Sequence, residues 1–398
     1  MSAALFLHAA GVACALGADA ATVRRRLLAG ESGVTPTTDF AGAAPLPLGV
    51  VREALPDAHD WPIAFRSRNN QLAWLAGAQL EAPVHEAIAR HGAARVAIIV
   101  GTSTSGIGES EVALGAHARG GALPAHFDLA QQEIGSLAHF LAYRYGTRGP
   151  AYVHSSACAS GPKAMAAAAR LLNAGLADAV ITGGVDSLCA FTVAGFSALG
   201  LVSTARTTPF SANRGGINIG EAAALFLMTR EPATVRLAGW GESSDGHHFS
   251  APDPSGRGAH AALTAALARA GVAPHDVDYV NMHATGTRAN DSMEGAVMHA
   301  LFGDGVPASG TKAATGHALG AAGAIETAFC WLAMQDDNAH GALPPHGWDG
   351  VADPELPPVR LVRAGETLGH PPRVTVSTSF AFGGANAAVV LARDGALA

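Results

Sequence analysis

The sequence predicts an α/β protein of two similar halves, each a β-sheet covered by helices. Three observations carry this. Strand-like and helix-like segments alternate along the chain. The strand-like segments are continuous apolar runs, such as RVAIIVG at 95–101, so both of their faces are covered. The pattern restarts near residue 230, which divides the chain into halves 1–230 and 231–398. Helical crossovers between strands imply mainly parallel sheets, with the site between the C-terminal ends of the strands of the two halves.

Taken in order, residues 3–10 read as a buried strand and 19–29 as a helix opened by Asp19, a capping residue. Residues 31–62 are rich in Pro, Gly and Ala and read as irregular. A single helical pattern runs from 68 to 91. The strand at 95–101 runs into a Thr/Ser/Gly turn at 102–108, and 128–145 reads as a helix. Residues 152–174 form a strand, a tight turn and a helix, with Pro162 in its first turn and Gly175 as its stop. A strand at 179–182 ends in Gly183-Gly184. The apolar stretch 188–202 is too hydrophobic for a surface loop and suits a core helix or a subunit interface. Strands follow at 221–229, 235–239, 277–282, 373–378 and 387–392, and helices at 257–270, 291–301 and 318–335.

The composition narrows the class. With 398 residues, 49% of them hydrophobic, the chain can bury a large core. A net charge of −7 gives no reason to expect nucleic-acid binding. The four cysteines, Cys14, Cys158, Cys189 and Cys330, form no CxxC pair. This argues against a zinc site and fits a reducing, cytoplasmic location. The apolar N-terminal run has its arginines after it, not before, so a first strand and helix explain it better than a signal peptide. No apolar stretch is long and clean enough to span a membrane.

The chemistry centres on Cys158. It lies just before a helix N-terminus, among small residues, where unpaired N–H groups favour a thiolate nucleophile. Three further segments look chemical. His283 ends a strand and is followed by a Thr/Gly turn. Lys312 and His317 share a Gly-rich loop running into a helix. Phe382 precedes Gly383-Gly384, which offers backbone N–H groups. A cysteine, two loop histidines, a lysine and a backbone nest make an acyl-transfer kit. The Gly/Ser loop after residue 101 could cradle a phosphate, but it lacks the P-loop lysine and the GxGxxG spacing of a nucleotide site.

The segments SSACASG, YVNMHATGT, GTKAATGHALGAAGAIE and SFAFGGAN, in that order, resemble the elongating β-ketoacyl-(acyl carrier protein) synthases. Residues 21–33, 213–221 and 239–250 resemble them too, so the likeness covers essentially the whole chain. The resemblance implies a thiolase-like fold of αβαβα layers with mainly parallel or mixed five-stranded sheets. It implies that Cys158 takes an acyl group from the phosphopantetheine thioester of an acyl carrier protein. The N–H groups of Cys158 and Phe382 would form the oxyanion hole. His283 and His317 would bind the malonyl thioester carbonyl and stabilise the enolate left by CO₂. Lys312 would order the site, paired with Glu326 and with Glu294 nearby. Thr285 and Thr287 would hold the phosphopantetheine arm, Phe382 would gate the acyl pocket, and Phe380, Gly383 and Gly384 would complete its wall. No cofactor and no metal is implied beyond the carrier's own arm. The implied partners are the carrier, met by Arg66, Arg68 and Arg206, and a second subunit, either the same chain or a paralogous chain-length factor. The product would belong to fatty-acid, polyketide or aryl-polyene-type synthesis.

Some residues depart from the family pattern. Met282 stands where Ala or Ser is usual, 284–287 read Ala-Thr-Gly-Thr in place of Gly-Thr-Ser-Thr, and 214–216 read Arg-Gly-Gly in place of Arg-Asp-Gly. Gly220-Glu221-Ala222-Ala223 replaces Gly-Glu-Gly-Ala, and the 203–216 loop is short. These changes bear on carrier contacts and substrate range. The Lys312–His317 segment argues against an initiating synthase or thiolase, and Cys158 argues against a non-catalytic chain-length-setting subunit.

Overall fold

The computed structural model describes residues 4–42 and 44–397. The expected strand at 3–10 runs instead from Phe6 to Cys14, as β1, and residue 3 lies outside the described residues. Asp19 caps α1 (Ala20–Leu28) by accepting the Thr22 N–H. The segment read as irregular holds a hairpin, β2 (Val34–Thr37) and β3 (Leu46–Gly49). The single helix expected over 68–91 is two, α2 (Arg68–Ala78) and α3 (Glu81–His91). The break has a covalent cause, because Pro83 has no N–H to continue α2 and is tolerated only in the first turn of a new helix.

Next come β4 (Val96–Gly101), α4 (Ile107–Ala118), α5 (Ser136–Tyr145), β5 (Ala151–His154), α6 (Ser160–Asn173), β6 (Ala179–Asp186), α7 (Ala190–Ala198) and β7 (Ala222–Thr229). The second half supplies β8 (Val235–Ser244), α8 (Arg257–Ala270), β9 (Tyr279–Asn281), α9 (Arg288–Phe302), β10 (Ala308–Ser309), α10 (Lys312–Thr315), α11 (Ala322–Ala333), β11 (Val374–Ala381) and β12 (Ala385–Arg393). Helix α4 was not expected. The helix expected over 128–145 is a short 3-10 turn followed by α5.

Ten strands follow the order β10-β9-β11-β12-β8-β1-β7-β6-β4-β5. They form two five-stranded groups joined by one residue pair, Phe6 with Arg236. The groups share one pairing scheme. In the first, β1–β7 and β7–β6 are antiparallel while β6–β4 and β4–β5 are parallel. In the second, β8–β12 and β12–β11 are antiparallel while β11–β9 and β9–β10 are parallel. The sheets are therefore mixed, within what the family resemblance implied, although the crossovers alone suggested mainly parallel ones.

Helices α6 and α11 lie between the two groups. The central apolar cluster joins Met165 and Leu172 of α6 and Ile325 and Phe329 of α11 to Ile99 and Phe226 on one side and to Tyr279, Val389 and Leu391 on the other. The opposite face of the first group, through Ile98, Val100 and Leu225, packs on α2 and α5. That of the second, through Val280, Val376 and Val390, packs on α8 and α9. Five layers result, and β4 is buried on both faces as its unbroken apolar run required. The central helices approach closely because Gly161 has no side chain. A Cβ there would lie 2.8 Å from the Ala324 Cβ and 2.9 Å from its backbone nitrogen.

Candidate active site

The shared pairing scheme puts Cys158 and His317 in equivalent places. Cys158 lies between the edge strand β5 and α6, and His317 lies between the edge strand β10 and α11. Because the two helices pack together, both residues reach one wall. His283 follows β9 and joins them. The Cys158 sulfur and one ring nitrogen of each histidine lie within 4.8 Å of one another, all buried. The imidazoles stand edge to face, with ring centres 5.3 Å apart. Backbone strain aims these side chains. Ala157, Ala284 and Leu319, each within two residues of one of them, hold positive φ angles of 47°, 38° and 47°. Non-glycine residues held this way cost on the order of 1–3 kcal/mol each, borne by the surrounding packing.

Lys312 organises the imidazole side. Its ammonium pairs with Glu326, donates to the His283 carbonyl, and lies 3.3 Å from His283 Nδ1. An ammonium can only donate, so Nδ1 accepts and the ring proton sits on Nε2. Burial first, then Lys312 and the neighbouring His317, hold His283 well below the usual imidazole range. Burial, followed by Lys312, does the same to His317, so both rings are neutral. The Glu326 carboxyl is pushed up to about 7 by burial, against the pull of Lys312. Glu294 does not touch Lys312. It accepts the His283 and Ala284 N–H groups at 2.7 and 2.6 Å and the Thr378 hydroxyl at 2.9 Å, so it fixes the strained turn instead.

The sulfur is in a different state from the one its helix-start position suggested. Burial pushes the Cys158 thiol up to about 12, although Lys312 and the Phe382 N–H pull it down. At 5% exposure, desolvation dominates, and the resting group is a thiol. The expected Gly-Gly nest is also narrower. Gly383 N–H is committed to the Phe249 carbonyl at 2.8 Å, which leaves the Phe382 N–H facing the sulfur.

A cavity of about 480 Å³ opens onto this wall. Thr285, Thr287, Phe380 and Phe382 line it, whereas Gly383 and Gly384 are not among its lining residues. The Phe382 ring packs on Phe196 of α7 at 5.5 Å. Of the three arginines read as carrier contacts, Arg68 is committed elsewhere. Its Nε and Nη2 hold buried Glu221 at 2.8 and 2.5 Å. Arg66 is half-buried and donates to the Trp61 carbonyl. Arg206 is exposed and lines a separate pocket of about 160 Å³ backed by the 310–314 segment.

Asp186 is the main support the sequence did not reveal. Fully buried, it accepts from the Thr102 hydroxyl, from the N–H groups of Ser103 and Thr104, and from Gly320 N–H at 2.6 Å. One carboxylate thus ties the loop after β4 to the start of the His317 helix. An aspartate closing the buried strand AVITGGVD was the available signal.

Residues 8–233 match the beta-ketoacyl synthase N-terminal domain and residues 234–346 its C-terminal domain. The mitochondrial 3-oxoacyl-[acyl-carrier-protein] synthase of Arabidopsis thaliana is 35% identical over 270 residues, covering 63% of this chain but only 58% of its own length. Nodulation protein E of Rhizobium sp. (strain N33) is 32% identical over 395 residues, 95% of this chain and 96% of that one. The ketosynthase ApeO of Xenorhabdus doucetiae, solved in complex with its chain length factor ApeC, superposes with a TM-score of 0.93 at 38% identity over 98% of both chains. By these matches, over a fold that brings a cysteine, two neutral histidines and a buried lysine to one wall, the chain belongs to the beta-ketoacyl synthase family.

Proposed function

We propose that the protein catalyses the decarboxylative condensation of an acyl group with a malonyl thioester carried by an acyl carrier protein. The observation that carries this is the convergence of the Cys158 sulfur with two neutral imidazoles beside Lys312. In the first step the Cys158 sulfur attacks the acyl thioester, and its proton leaves with the carrier's thiol. The N–H groups of Cys158 and Phe382 stabilise the tetrahedral oxyanion. In the second step the malonyl carboxylate leaves as CO₂, and the bond electrons form an enolate held by the histidines. That carbon attacks the acyl carbonyl, and the Cys158 sulfur departs and is reprotonated. His283 suits its part because Lys312 keeps its proton on Nε2, free to donate. Positive imidazoles are not required, in keeping with the depressed basicity of both rings.

The wider reading follows. Halves 1–230 and 231–398 divide the labour, with the nucleophile in the first and His283, Lys312, His317 and the Phe382 turn in the second. Thr285 and Thr287 hold the carrier's phosphopantetheine arm, which enters as substrate, so the enzyme needs no cofactor of its own. Arg66 and Arg206 are left as surface contacts for an acidic carrier. A partner subunit covers α7 and its cap residue Leu199, where Phe191 and Leu199 are 64% and 50% exposed, together with Val112 and Leu114 of α4. The four unpaired, buried cysteines suit the cytoplasm. A purely chain-length-setting role is not favoured, because such a subunit has no use for a buried, donor-faced cysteine.

Intact-protein mass spectrometry with a panel of acyl-carrier thioesters tests the reading. Wild type is expected to gain one acyl mass and Cys158→Ala none. No gain on wild type with any acyl group removes the proposal.

A further inference from the structure

Two arginines lie in the cavity wall, Arg214 and Arg288. The first is spent on structure. Its side chain is 1% exposed, pairs with Asp353, and stands 3.8 Å from Asp291. Even so, its Nε is buried without a hydrogen-bond partner. Arg288 is exposed, at the rim of the cavity whose wall holds Cys158. Among the described residues its guanidinium makes no salt bridge and no side-chain hydrogen bond. Arg288 therefore brings an unpaired guanidinium to the mouth.

The backbone adds to it. Arg288 is the first residue of α9, a helix of 15 residues. Thr287 sits at the capping position but makes no capping bond, because its hydroxyl is engaged with the Thr285 hydroxyl at 2.9 Å. The first-turn N–H groups thus lack a side-chain acceptor, and Arg288, Ala289 and Asn290 all line the cavity. An arginine fork beside an uncapped helix start favours an anion at the cavity mouth.

We propose that Arg288 binds the phosphate of the pantetheine arm at the cavity mouth while the thioester end reaches Cys158. The inference rests on the condensing-enzyme reading and names the group that sets arm register. An arm held at its phosphate enters the cavity to a fixed depth, so its thioester meets the sulfur rather than sliding past it.

The test compares two small thioesters of the same acyl group, acyl-pantetheine and acyl-phosphopantetheine, which differ only in the phosphate. Cys158 acylation is followed by intact mass in wild type, Arg288→Ala and Arg288→Lys. In Arg288→Ala the ratio of kcat/KM for the phosphorylated over the unphosphorylated thioester is expected to fall about tenfold, the low end for a charge-assisted contact at an exposed site. Arg288→Lys should recover part of it. The ratio is internal to each variant, so a general loss of folded protein does not move it. An unchanged ratio with acylation intact overturns the phosphate site and leaves the condensing reading standing. Failure of wild type to acylate from either thioester, or from a loaded carrier, overturns both. A loaded carrier is run alongside, and Arg288→Ala is expected to acylate more slowly from it as well; an unchanged rate from the carrier overturns the assignment to the carrier's arm.

Discussion

At the scale of single residues, electrostatics sets what each group can do. His283 is locked in one tautomer by Lys312, so its removal should strike the decarboxylation step. His283→Ala is expected to lower malonyl decarboxylation by about 100-fold, the usual loss on deleting one oxyanion donor, while Cys158 still loads an acyl group. Release of CO₂ alongside intact mass separates the two steps. A buried histidine outside the reaction gives a cleaner pH signal. His346 accepts the Gly310 N–H at 2.9 Å and donates to the Pro209 carbonyl at 2.9 Å, and burial lowers it from 6.5 to about 4. Its folded pKa lies below the unfolded one, so its stabilisation is whole above pH 6.5 and is lost as the unfolded chain takes up a proton between pH 6.5 and about 4. The stability gap between wild type and His346→Asn should narrow by about 2 kcal/mol from pH 7 to pH 5 in urea titrations. A constant gap would contradict the assignment. Cys158, His283 and His317 were legible in sequence because each sits in a short string of small residues that few structural needs explain. The protonation state of Cys158 was not, because burial depends on the whole fold. Arg68 was misread for the same reason, since its partner Glu221 is distant in sequence.

At the scale of elements, most strands and helices followed from apolar runs and caps, and the misses have local causes. Pro83 split one helical pattern in two. Helix α4 follows a glycine-rich turn and presents Val112 and Leu114 outward, so it lacks the one-sided apolar stripe that marks a helix in sequence. Its Glu111 also holds α7 in place. The carboxylate accepts the Ala190 and Phe191 N–H groups at 2.8 and 2.7 Å, capping α7 from another helix because Cys189, at the capping position, makes no such bond. Glu111→Ala should destabilise α7 by about 1 kcal/mol, the worth of a cap. Faster amide exchange confined to residues 190–198 would register it. Uniform exchange across the protein would refute a local role.

At the scale of the molecule, the repeated strand scheme explains why two distant segments share a wall. Cys158 and His317 are counterparts, brought together by the packing of Gly161 against Ala324. Gly161→Ala should destabilise the fold by about 1–3 kcal/mol through overpacking and slow Cys158 acylation, read by denaturation and mass loading. The two halves were legible from the restart near residue 230. Which strands run antiparallel was not, because β7 and β12, buried on both faces, read like parallel strands.

The strand β5 ends the sheet, pairing only with β4. Its Tyr152 is 40% exposed, and the strand runs straight into the Cys158 turn. A bare sheet edge is a template for any passing chain. Left uncovered, this edge should therefore make the protein prone to sticking edge to edge in solution, and charged substitutions along β5 should relieve it.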